Sequence, residues 1–329
     1  MSTILAPSIV TLSTHNSQEE LARDIVKGMD SSPKAIPSKY FYDEHGGQLF
    51  GAITQLPEYY LTRAETALIR RHASTIVART KALEVLEVGS GSAEKICLFL
   101  DKAHGHEIGH YASIDINAAA LDEAAQDLKA QHPNVSVTGY IGDFISDLSR
   151  MPAAAERRLV AFFGSTIGNL DEPARADFFQ DVATVLGEQD SFLLGIDLVK
   201  DRDVLHNAYN DSQGITAEFT LNILRVINRE LSADFPLDGF VHVPRWNESL
   251  HRMEAWLRAT RAMTVKIADV DMTINLAAQE EMLTEVSYKF TRESIEPELG
   301  RAKLALTGWY TDEAESFALA LITKARPTS

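Results

Sequence analysis

The sequence predicts an α/β fold in which a mostly parallel sheet carries helices on both of its faces. Between residue 83 and about residue 200, short apolar runs alternate with segments of helical period. This alternation builds a parallel sheet, because each crossover helix returns the chain to the same end of the sheet. The predicted elements are, in order, strand 83–88, helix 93–103, strand 111–116, helix 118–130, strand 135–140, strand 158–163, helix 173–186 and strand 191–197.

The rest of the chain predicts an antiparallel sheet edge and a second, smaller domain. Residues 203–232 are mostly helical in pattern and residues 238–288 mix strand-like runs with turns, which indicates an α+β lobe. A helix at 292–302 is followed by the runs LALTGWYT and FALALITKA, which predict an antiparallel pair at the edge of the first sheet. The expected domains are residues 62–199 with 290–329 for the first, and residues 1–61 with 200–289 for the second.

The segments before residue 83 give weaker signals. Residues 1 to about 20 are rich in Ser and Thr without a clear period, so we expect them to fray or to pack loosely. The segment TRAETALIRRHASTIVART begins with Thr62 three residues before Glu65, which is the spacing of a helix capping box. Its apolar residues, such as Ile69 and Val77, recur near one helical stripe. We expect this helix to cover the sheet.

Composition and charge exclude several classes of partner. The chain of 329 residues has 31 basic and 47 acidic side chains, a formal net charge of −16 that would repel a nucleic acid. The single cysteine, Cys97, has no partner for an intrachain disulfide and cannot build a cysteine metal cage. No segment reaches the roughly 20 apolar residues that span a bilayer, and the N-terminus lacks a signal-peptide pattern. We expect a cytoplasmic monomer that binds neither nucleic acid nor membrane.

The stretch EVLEVGSGSAEK, residues 84–95, reads as a buried strand, a glycine turn and a helix, an arrangement that often holds a ligand. A dinucleotide-binding turn would have glycine where Glu94 stands, and the ending of a phosphate-binding P-loop is missing. Glu87 adds negative charge just before Gly89, which favours a cationic ligand without phosphate. S-adenosylmethionine is such a ligand. An ordinary tight turn and a nicotinamide cofactor stay open as alternatives.

Acidic residues follow the next two strands. Asp115 ends the second strand, where doubly wound folds place a carboxylate on ribose hydroxyls. Asp143 ends the third, where it can accept from an adenine amine while Phe144 stacks on the ring. The loop HEIGH, His106 to His110, matches a zinc-protease pattern, but its glycines interrupt any helix. We therefore predict a solvated loop there, and no metal.

The fourth strand, RLVAFFGSTIGNL, ends in a small polar loop at the edge of the sheet where α/β folds bind ligands. Gly164, Thr166 and Asn169 are expected to face the methyl donor. In a structural alternative, Asn169 only starts the next helix, because asparagine is a common helix cap.

The chain closely resembles the histidine-specific methyltransferases of ergothioneine biosynthesis. The similarity extends over roughly residues 20–325 and is carried by KYFYDEHGGQLFGAITQLPEYYLTRAE, EVGSGSAEK, FFGSTIGNL, GIDLVKD, VINRELSADF and EEMLTEVSYKF. The resemblance implies a class I, Rossmann-like methyltransferase fold with a separate substrate-binding domain. It also implies transfer of three methyl groups from S-adenosylmethionine to the α-amine of L-histidine, which gives hercynine.

The resemblance implies a role for each matching site residue. Tyr42 and Asn169 are the implied catalytic residues. The α-carboxylate of the substrate is assigned to Asn169 and Tyr209, the surroundings of the amine to Tyr42, Phe50 and Gly164, and the imidazole to Tyr59, Glu285 and Ser287. The donor is assigned to Gly89, Lys95, Asp115, Asp143 and Phe144.

The residues themselves are compatible with this chemistry. On a strand, Glu285 and Ser287 point to the same side, so that they can address the two nitrogens of an imidazole. A half-exposed edge strand would show the same polar pair, and the tyrosines of the N-terminal segment would also suit a packed core. Methyl transfer depends mainly on alignment and on an amine with a free lone pair. We expect Tyr42 to orient that amine while water receives its proton.

One position departs from the family. Where many relatives read RIEMWLR, this chain reads RMEAWLR with Ala255, which enlarges the pocket if this side chain borders the imidazole. A bulkier aromatic amino acid such as tryptophan becomes conceivable, although Glu285 would be poorly satisfied beside an indole. A non-catalytic ligand-sensing protein and a nicotinamide oxidoreductase are the alternatives from other classes.

Overall fold

The computed structural model of the protein describes residues 7–13, 17–89, 93–102 and 108–326. The chain forms two compact units. The sheet unit comprises Met1–Thr14, Arg63–Leu198 and Phe290–Ser329, and the insertion unit comprises His15–Thr62 and Val199–Lys289. Within the described ranges, no helix combines the length and the apolarity that crossing a membrane requires.

The secondary structure follows the predicted order. The strands are β1 (Ser8–Thr11), β2 (Lys34–Ala35), β3 (Glu84–Val88), β4 (His110–Asp115), β5 (Ser136–Ile141), β6 (Arg158–Phe162), β7 (Ser191–Asp197), β8 (Phe240–Asn247), β9 (Arg252–Ala259), β10 (Met263–Ile267), β11 (Met272–Leu276), β12 (Glu281–Tyr288), β13 (Leu304–Thr311) and β14 (Phe317–Lys324). The α-helices are α1 (Ser17–Asp30), α2 (Glu44–Ile53), α3 (Leu61–Thr80), α4 (Glu94–Lys102), α5 (Ala118–Gln131), α6 (Phe144–Asp147), α7 (Glu172–Val185), α8 (Arg202–Ala208), α9 (Ile215–Glu230) and α10 (Arg292–Arg301).

The sheet unit is built on an eight-stranded sheet with the order β1-β5-β4-β3-β6-β7-β14-β13. In this order, the six strands from β1 to β7 pair in parallel, whereas β14 pairs antiparallel with both β7 and β13. The central strands β3, β6 and β7 are buried along their whole length, as expected for parallel strands that are covered on both faces. The predicted parallel sheet with an antiparallel C-terminal edge is confirmed.

The N-terminal segment corrects a prediction. Residues 8–11 do not fray but form β1, which pairs in parallel with β5 from Ser8 opposite Thr138 to Thr11 opposite Ile141. This segment lies in the sheet unit, whereas the sequence assigned residues 1–61 to the second domain. The side chains of β1 are exposed, so hydrophobic patterning gave no signal. Backbone pairing holds the strand and covers the edge of β5.

Helix α3 corrects another prediction. It begins at Leu61, so Thr62 lies inside the helix and not at its cap. The expected apolar stripe is buried, with Ile69 and Val77 fully inaccessible to solvent. The side chain of Glu65, which was predicted to serve the capping box, is also buried. Its carboxylate binds groups at the ends of the central strands instead.

The insertion unit has its own sheet, with the order β2-β12-β9-β8, and a separate hairpin of β10 and β11. Strand β12 lies between β2 and β9 and pairs antiparallel with β9. Its register shifts between Leu283 and Glu285, so that Thr284 forms a bulge. Helix α9 packs against α2 and β8. Strand β12 is therefore hydrogen-bonded on both edges by strands of its own unit.

Candidate active site

The glycine turn after β3 needs its first glycine for conformational reasons. Gly89 has φ +68°, a region that residues with a Cβ adopt rarely, and its N–H donates to the Ile114 carbonyl at 2.9 Å. A Cβ at this position would lie 3.9 Å from the Phe144 ring, so these two predicted donor residues are close together. Residues 90–92, including the second glycine of the turn, Gly91, lie outside the described residues.

The two predicted donor carboxylates lie at the carboxyl ends of neighbouring strands. Asp115 and Ile141 are partners in the β4–β5 register, and Asp143 follows β5 by two residues. Asp115 Oδ1 accepts from the Asn117 N–H at 2.9 Å, and Asp143 Oδ1 accepts from the Ile145 N–H at 2.9 Å. These local turns hold both carboxylates at the same edge of the sheet.

Phe144 lies at the start of α6, directly after Asp143. Its ring centroid is 5.3 Å from that of Phe162 and 6.1 Å from that of Phe178. These contacts fix the orientation of the ring beside the glycine turn. That Phe144 stacks on adenine stays a prediction.

A buried carboxylate that the sequence did not assign to the site joins two residues that it did. Glu65 is 1% exposed and accepts from Lys95 Nζ at 2.6 Å. Both of its oxygens also lie 2.9 Å from the Gly164 N–H. A Cβ at Gly195, on strand β7, would overlap the Glu65 carboxylate, so this position of the carboxylate depends on glycine there. The single glycine in the apolar run FLLGID was the only sequence signal of this arrangement.

Glu87 corrects the electrostatic part of the sequence argument. Its side chain is buried within β3, where the Tyr111 hydroxyl donates to Oε2 at 2.6 Å. Burial raises the pKa of Glu87 to about 8, although the nearby Lys95 ammonium lowers it. At neutral pH the carboxyl is therefore mostly protonated. The negative charge predicted at the glycine turn does not come from this residue.

Asn169 ends the short 3-10 helix Thr166–Asn169 after β6. The alternative that Asn169 merely caps the next helix is wrong, because Asp171 is the cap of α7 and accepts from the Ala174 N–H at 3.0 Å. Asn169 therefore does not cap α7, and the interpretation of its amide as a ligand-binding group stays a prediction.

Three contacts hold the Asn169 loop. Ser165 adopts a left-handed conformation with φ +57°, and its Oγ accepts from the Asp197 N–H at 2.9 Å. Arg175 Nη1 donates to the carbonyl of Leu170 at 2.7 Å. The same guanidinium forms two hydrogen bonds of 2.9 Å with the Glu298 carboxylate. This bidentate pair fixes the chain immediately after Asn169.

In the insertion unit, aromatic rings surround Tyr42. Its ring centroid lies 5.5 Å from Phe50 and 5.4 Å from Phe219, and Phe50 lies 6.2 Å from Tyr59. We call these four residues the aromatic cluster. Phe219, on α9, was not predicted, because its position in a helical apolar stripe looks like ordinary core. The cluster brings together three of the predicted substrate residues.

Tyr42 is 44% exposed as a whole residue, although its ring contacts those of Phe50 and Phe219. Burial raises the pKa of its hydroxyl well above the usual range, and the negative charge of Glu285 raises it further. The hydroxyl is therefore protonated at physiological pH. It can orient an amine but cannot act as a strong base.

Strand β12 carries the predicted imidazole residues and one that was missed. Glu285 pairs directly with Ala255 on β9, and Ala255 is 2% exposed. Ser287 Oγ accepts from the Tyr209 hydroxyl at 2.8 Å and from Lys289 Nζ at 2.8 Å. Lys289 Nζ also donates to the Tyr209 hydroxyl at 2.8 Å. We call Tyr209, Ser287 and Lys289 the hydroxyl–lysine triad.

The zinc-like loop is only partly described. His106, Glu107 and Gly105 lie outside the described residues, whereas His110 lies on β4 with Nε2 3.2 Å from the Thr138 hydroxyl. In the described part of the chain, no group of three or more His, Cys, Asp or Glu side chains is arranged to hold a metal ion.

The predicted site residues thus form two groups. The sheet unit holds, at the carboxyl ends of its strands or on the turns and helices that follow them, Gly89, Lys95, Asp115, Asp143, Phe144, Gly164 and Asn169. The insertion unit holds Tyr42, Phe50, Tyr59, Tyr209, Ala255, Glu285 and Ser287. Their individual roles in binding stay predictions.

Comparison with known proteins identifies relatives over nearly the whole chain. The model of a family described as histidine-specific, SAM-dependent methyltransferases matches residues 21–324. Histidine N-alpha-methyltransferase of Mycolicibacterium smegmatis is 44% identical, with 95% of this chain and 98% of that protein covered. Ergothioneine biosynthesis protein 1 of Neurospora crassa is 29% identical over 89% of this chain and 34% of that protein. A 4-dimethylallyltryptophan N-methyltransferase of Epichloe festucae var. lolii is 25% identical over 87% of this chain and 90% of that protein.

Proposed function

Since the chain belongs to the family of histidine-specific, S-adenosylmethionine-dependent methyltransferases, we propose that it trimethylates the α-amine of L-histidine. The product is hercynine, and the reaction is the first step of ergothioneine biosynthesis. The observation that carries the proposal is the 44% identity to a histidine N-alpha-methyltransferase over 95% of the chain. The strand order of the sheet unit is that of a class I methyltransferase, as the resemblance implied.

The residues of the sheet unit fit S-adenosylmethionine. Asp115 and Asp143, at neighbouring strand ends, are suitable acceptors for ribose hydroxyls and the adenine amine, and Phe144 offers an aromatic surface beside Gly89. Lys95 is held by Glu65 at 2.6 Å. We assign these residues to the donor, which supplies an electrophilic methyl group when bound.

The residues of the insertion unit fit an aromatic amino acid with an imidazole. Glu285 is an acceptor for an imidazole N–H, and Ser287 follows it on the same side of β12. We assign these two residues and Tyr59 to the imidazole, and Tyr209 to the α-carboxylate. In the sheet unit, we assign the amide of Asn169 to the α-carboxylate as well, as the resemblance implies.

The reaction requires an amine that has lost its proton, because only a free lone pair attacks the methyl group. The raised pKa of Tyr42 keeps its hydroxyl protonated, so that it orients the amine and leaves proton removal to water. Each transfer adds bulk, and the third gives the amine a permanent positive charge. The rings of Tyr42 and Phe50 stabilise this cation without fixed hydrogen bonds, which lets the amine rotate between transfers.

A second candidate substrate is a bulkier aromatic amino acid, such as tryptophan. The small side chain of Ala255 lies opposite Glu285, at a position where many relatives carry methionine. A relative at 25% identity is a 4-dimethylallyltryptophan N-methyltransferase. Burial of the Glu285 carboxylate against an indole would cost about 1–3 kcal/mol if its hydrogen bond is not replaced. Histidine therefore remains our first assignment.

Product analysis tests the assignment. The protein is incubated with S-adenosylmethionine and a panel of amino acids, and the products are weighed by mass spectrometry. We expect histidine to gain three methyl groups, and no methylated product from histidine would refute the proposal. A higher kcat/KM for tryptophan would favour the second candidate. Glu285→Ala should raise the KM for histidine with little effect on the affinity for S-adenosylhomocysteine.

The alternatives from other classes are separated by two further measurements. Turnover above background excludes a sensing protein without catalysis. Calorimetry with NAD and with S-adenosylhomocysteine distinguishes an oxidoreductase from a methyltransferase. The monomeric state and the cytoplasmic location stay predictions, and light scattering after gel filtration tests the first of them.

A further inference from the structure

Lys289 lies at the end of β12 and is buried, with 3% of its surface exposed. Its N–H donates to the His251 carbonyl at 2.7 Å, so the strand geometry continues to this residue. Glu285, Ser287 and Lys289 therefore alternate along one side of the strand. A carboxylate, a hydroxyl and an ammonium follow each other in that order.

The contacts of Lys289 restrict the hydrogen bonds of its neighbours. An ammonium can only donate, and Nζ lies 2.8 Å from the oxygens of both Tyr209 and Ser287. Those two oxygens are 2.8 Å apart, so one hydroxyl hydrogen lies between them. The phenol is the more acidic hydroxyl and supplies that hydrogen. Ser287 Oγ then accepts twice, which uses both of its lone pairs.

Ser287 can consequently form only one further hydrogen bond, in which it donates. The residue is 4% exposed, and an unpaired donor at such a buried place is unfavourable. In the described residues, the hydroxyl hydrogen of Ser287 has no acceptor once the Tyr209 hydrogen lies between the two oxygens. A bound ligand with an acceptor atom would supply one.

We propose that Lys289 is a positioning residue that fixes Ser287 as a hydrogen-bond donor to the substrate, so that the pocket selects a ring with an acceptor nitrogen. This inference rests on the proposed function. Neutral imidazole offers an N–H to Glu285 and an acceptor nitrogen to Ser287. An indole has an N–H but no acceptor nitrogen, so it leaves Ser287 unpaired. Lys289 thus favours histidine over tryptophan although residue 255 is a small alanine.

Two histidine analogues test this inference directly. In the 2-linked and 3-linked pyrrolylalanines, one ring nitrogen of histidine is replaced by C–H and the other remains an N–H. Dissociation constants are measured by calorimetry in the presence of S-adenosylhomocysteine. For the wild-type protein, we expect histidine to bind about tenfold more tightly than the better of the two analogues, the effect of one unpaired buried donor.

The variants separate a positioning role from a structural one. Lys289→Met removes the cation that occupies an acceptor position on both oxygens, so Ser287 can donate to Tyr209 when the ligand has no acceptor, and the preference for histidine should fall to about threefold or less. Lys289→Arg still donates and should retain the preference, whereas Ser287→Ala should lose it. If Lys289→Met weakens histidine and both analogues by the same factor, Lys289 has only a structural role and the proposal is refuted.

A second variant covers the case in which Lys289→Met does not fold, as judged by its affinity for S-adenosylhomocysteine. In Lys289→Gln, the amide oxygen can accept from Ser287, so the hydroxyl hydrogen is paired without a ligand acceptor and the preference should fall again. An unchanged preference would refute the proposal. Failure of the wild-type protein to methylate histidine would instead refute the proposed function, and the two outcomes are distinguishable.

Discussion

The Lys95 ammonium lies 2.6 Å from the carboxylate of Glu65, which is buried in the sheet unit. The same carboxylate accepts from the Gly164 N–H at 2.9 Å. Glu65 therefore joins a residue that the resemblance assigns to the donor with one that it assigns to the substrate. Because Glu65 comes from α3, the position of this helix is coupled to the geometry of both.

Glu65→Gln should weaken the binding of S-adenosylhomocysteine by about tenfold, because a hydrogen bond to a charged group contributes roughly 1.5–3 kcal/mol. The amide can still accept from Gly164, but it no longer holds the charge of Lys95. Calorimetry measures the effect. Glu188→Gln is a matched control, since this side chain is 88% exposed and lies 4.0 Å from Lys324. Equal affinity in wild type and Glu65→Gln would contradict the prediction.

Local patterns were sufficient to predict the strands and helices of the sheet unit. Apolar runs such as FLLGID become buried strands because helices cover both faces of the sheet. The partner of Glu65 was not predictable, since Lys95 and Gly164 lie 30 and 99 residues away in sequence. The capping-box spacing pointed to a local partner that the helix start at Leu61 rules out.

The insertion unit shows the same limit. The alternation in LTEVSY predicted that Glu285 and Ser287 share a side of a strand, and both lie on β12. Lys289 continues this alternation but follows the predicted motif, and its role becomes visible only through its contact with Tyr209. Phe219 was missed because an apolar stripe on a helix does not reveal which of its residues contact the predicted substrate residues, as Phe219 contacts Tyr42 and Phe50.

Ala255→Met should increase the preference for histidine over tryptophan by about tenfold in kcat/KM. The added side chain fills the space opposite Glu285 with several methylene groups, and each buried methylene is worth about 0.8 kcal/mol. An indole then meets a steric conflict, whereas an imidazole gains contacts. Competition assays with both amino acids measure the ratio. An unchanged ratio would mean that residue 255 does not border the substrate ring.

Arg175→Met should destabilise the protein by about 3 kcal/mol, since it leaves the Glu298 carboxylate, whose side chain is 12% exposed, without its partner. It also removes the hydrogen bond to Leu170, next to Asn169, so we expect a higher KM for histidine. The double variant Arg175→Met/Glu298→Leu is the comparison, because it removes both charges. The double variant should recover stability, but its KM for histidine should stay raised. If Arg175→Met has the wild-type KM for histidine, this ion pair does not affect substrate binding through the Asn169 loop.

The pKa of Glu87 predicts how stability depends on pH. The folded protein raises this pKa to about 8 from the ordinary value of 4.5. Between these two values the unfolded chain loses the proton while the folded chain keeps it, so stability falls as the pH rises through this interval. Above pH 8 the penalty is complete. The donor from Tyr111 offsets only part of the cost of burial.

Glu87→Gln keeps an acceptor for the Tyr111 hydroxyl and removes the titration. The variant should therefore lose less stability than wild type between pH 6 and pH 9, and the difference should be largest at the alkaline end. Urea unfolding at several pH values measures it. Glu123→Gln, on the exposed face of α5, is the control and should follow the wild-type curve. If the unfolding free energies of wild type and Glu87→Gln change in parallel with pH, Glu87 is ionised in the folded protein. It would then place a negative charge beside Gly89.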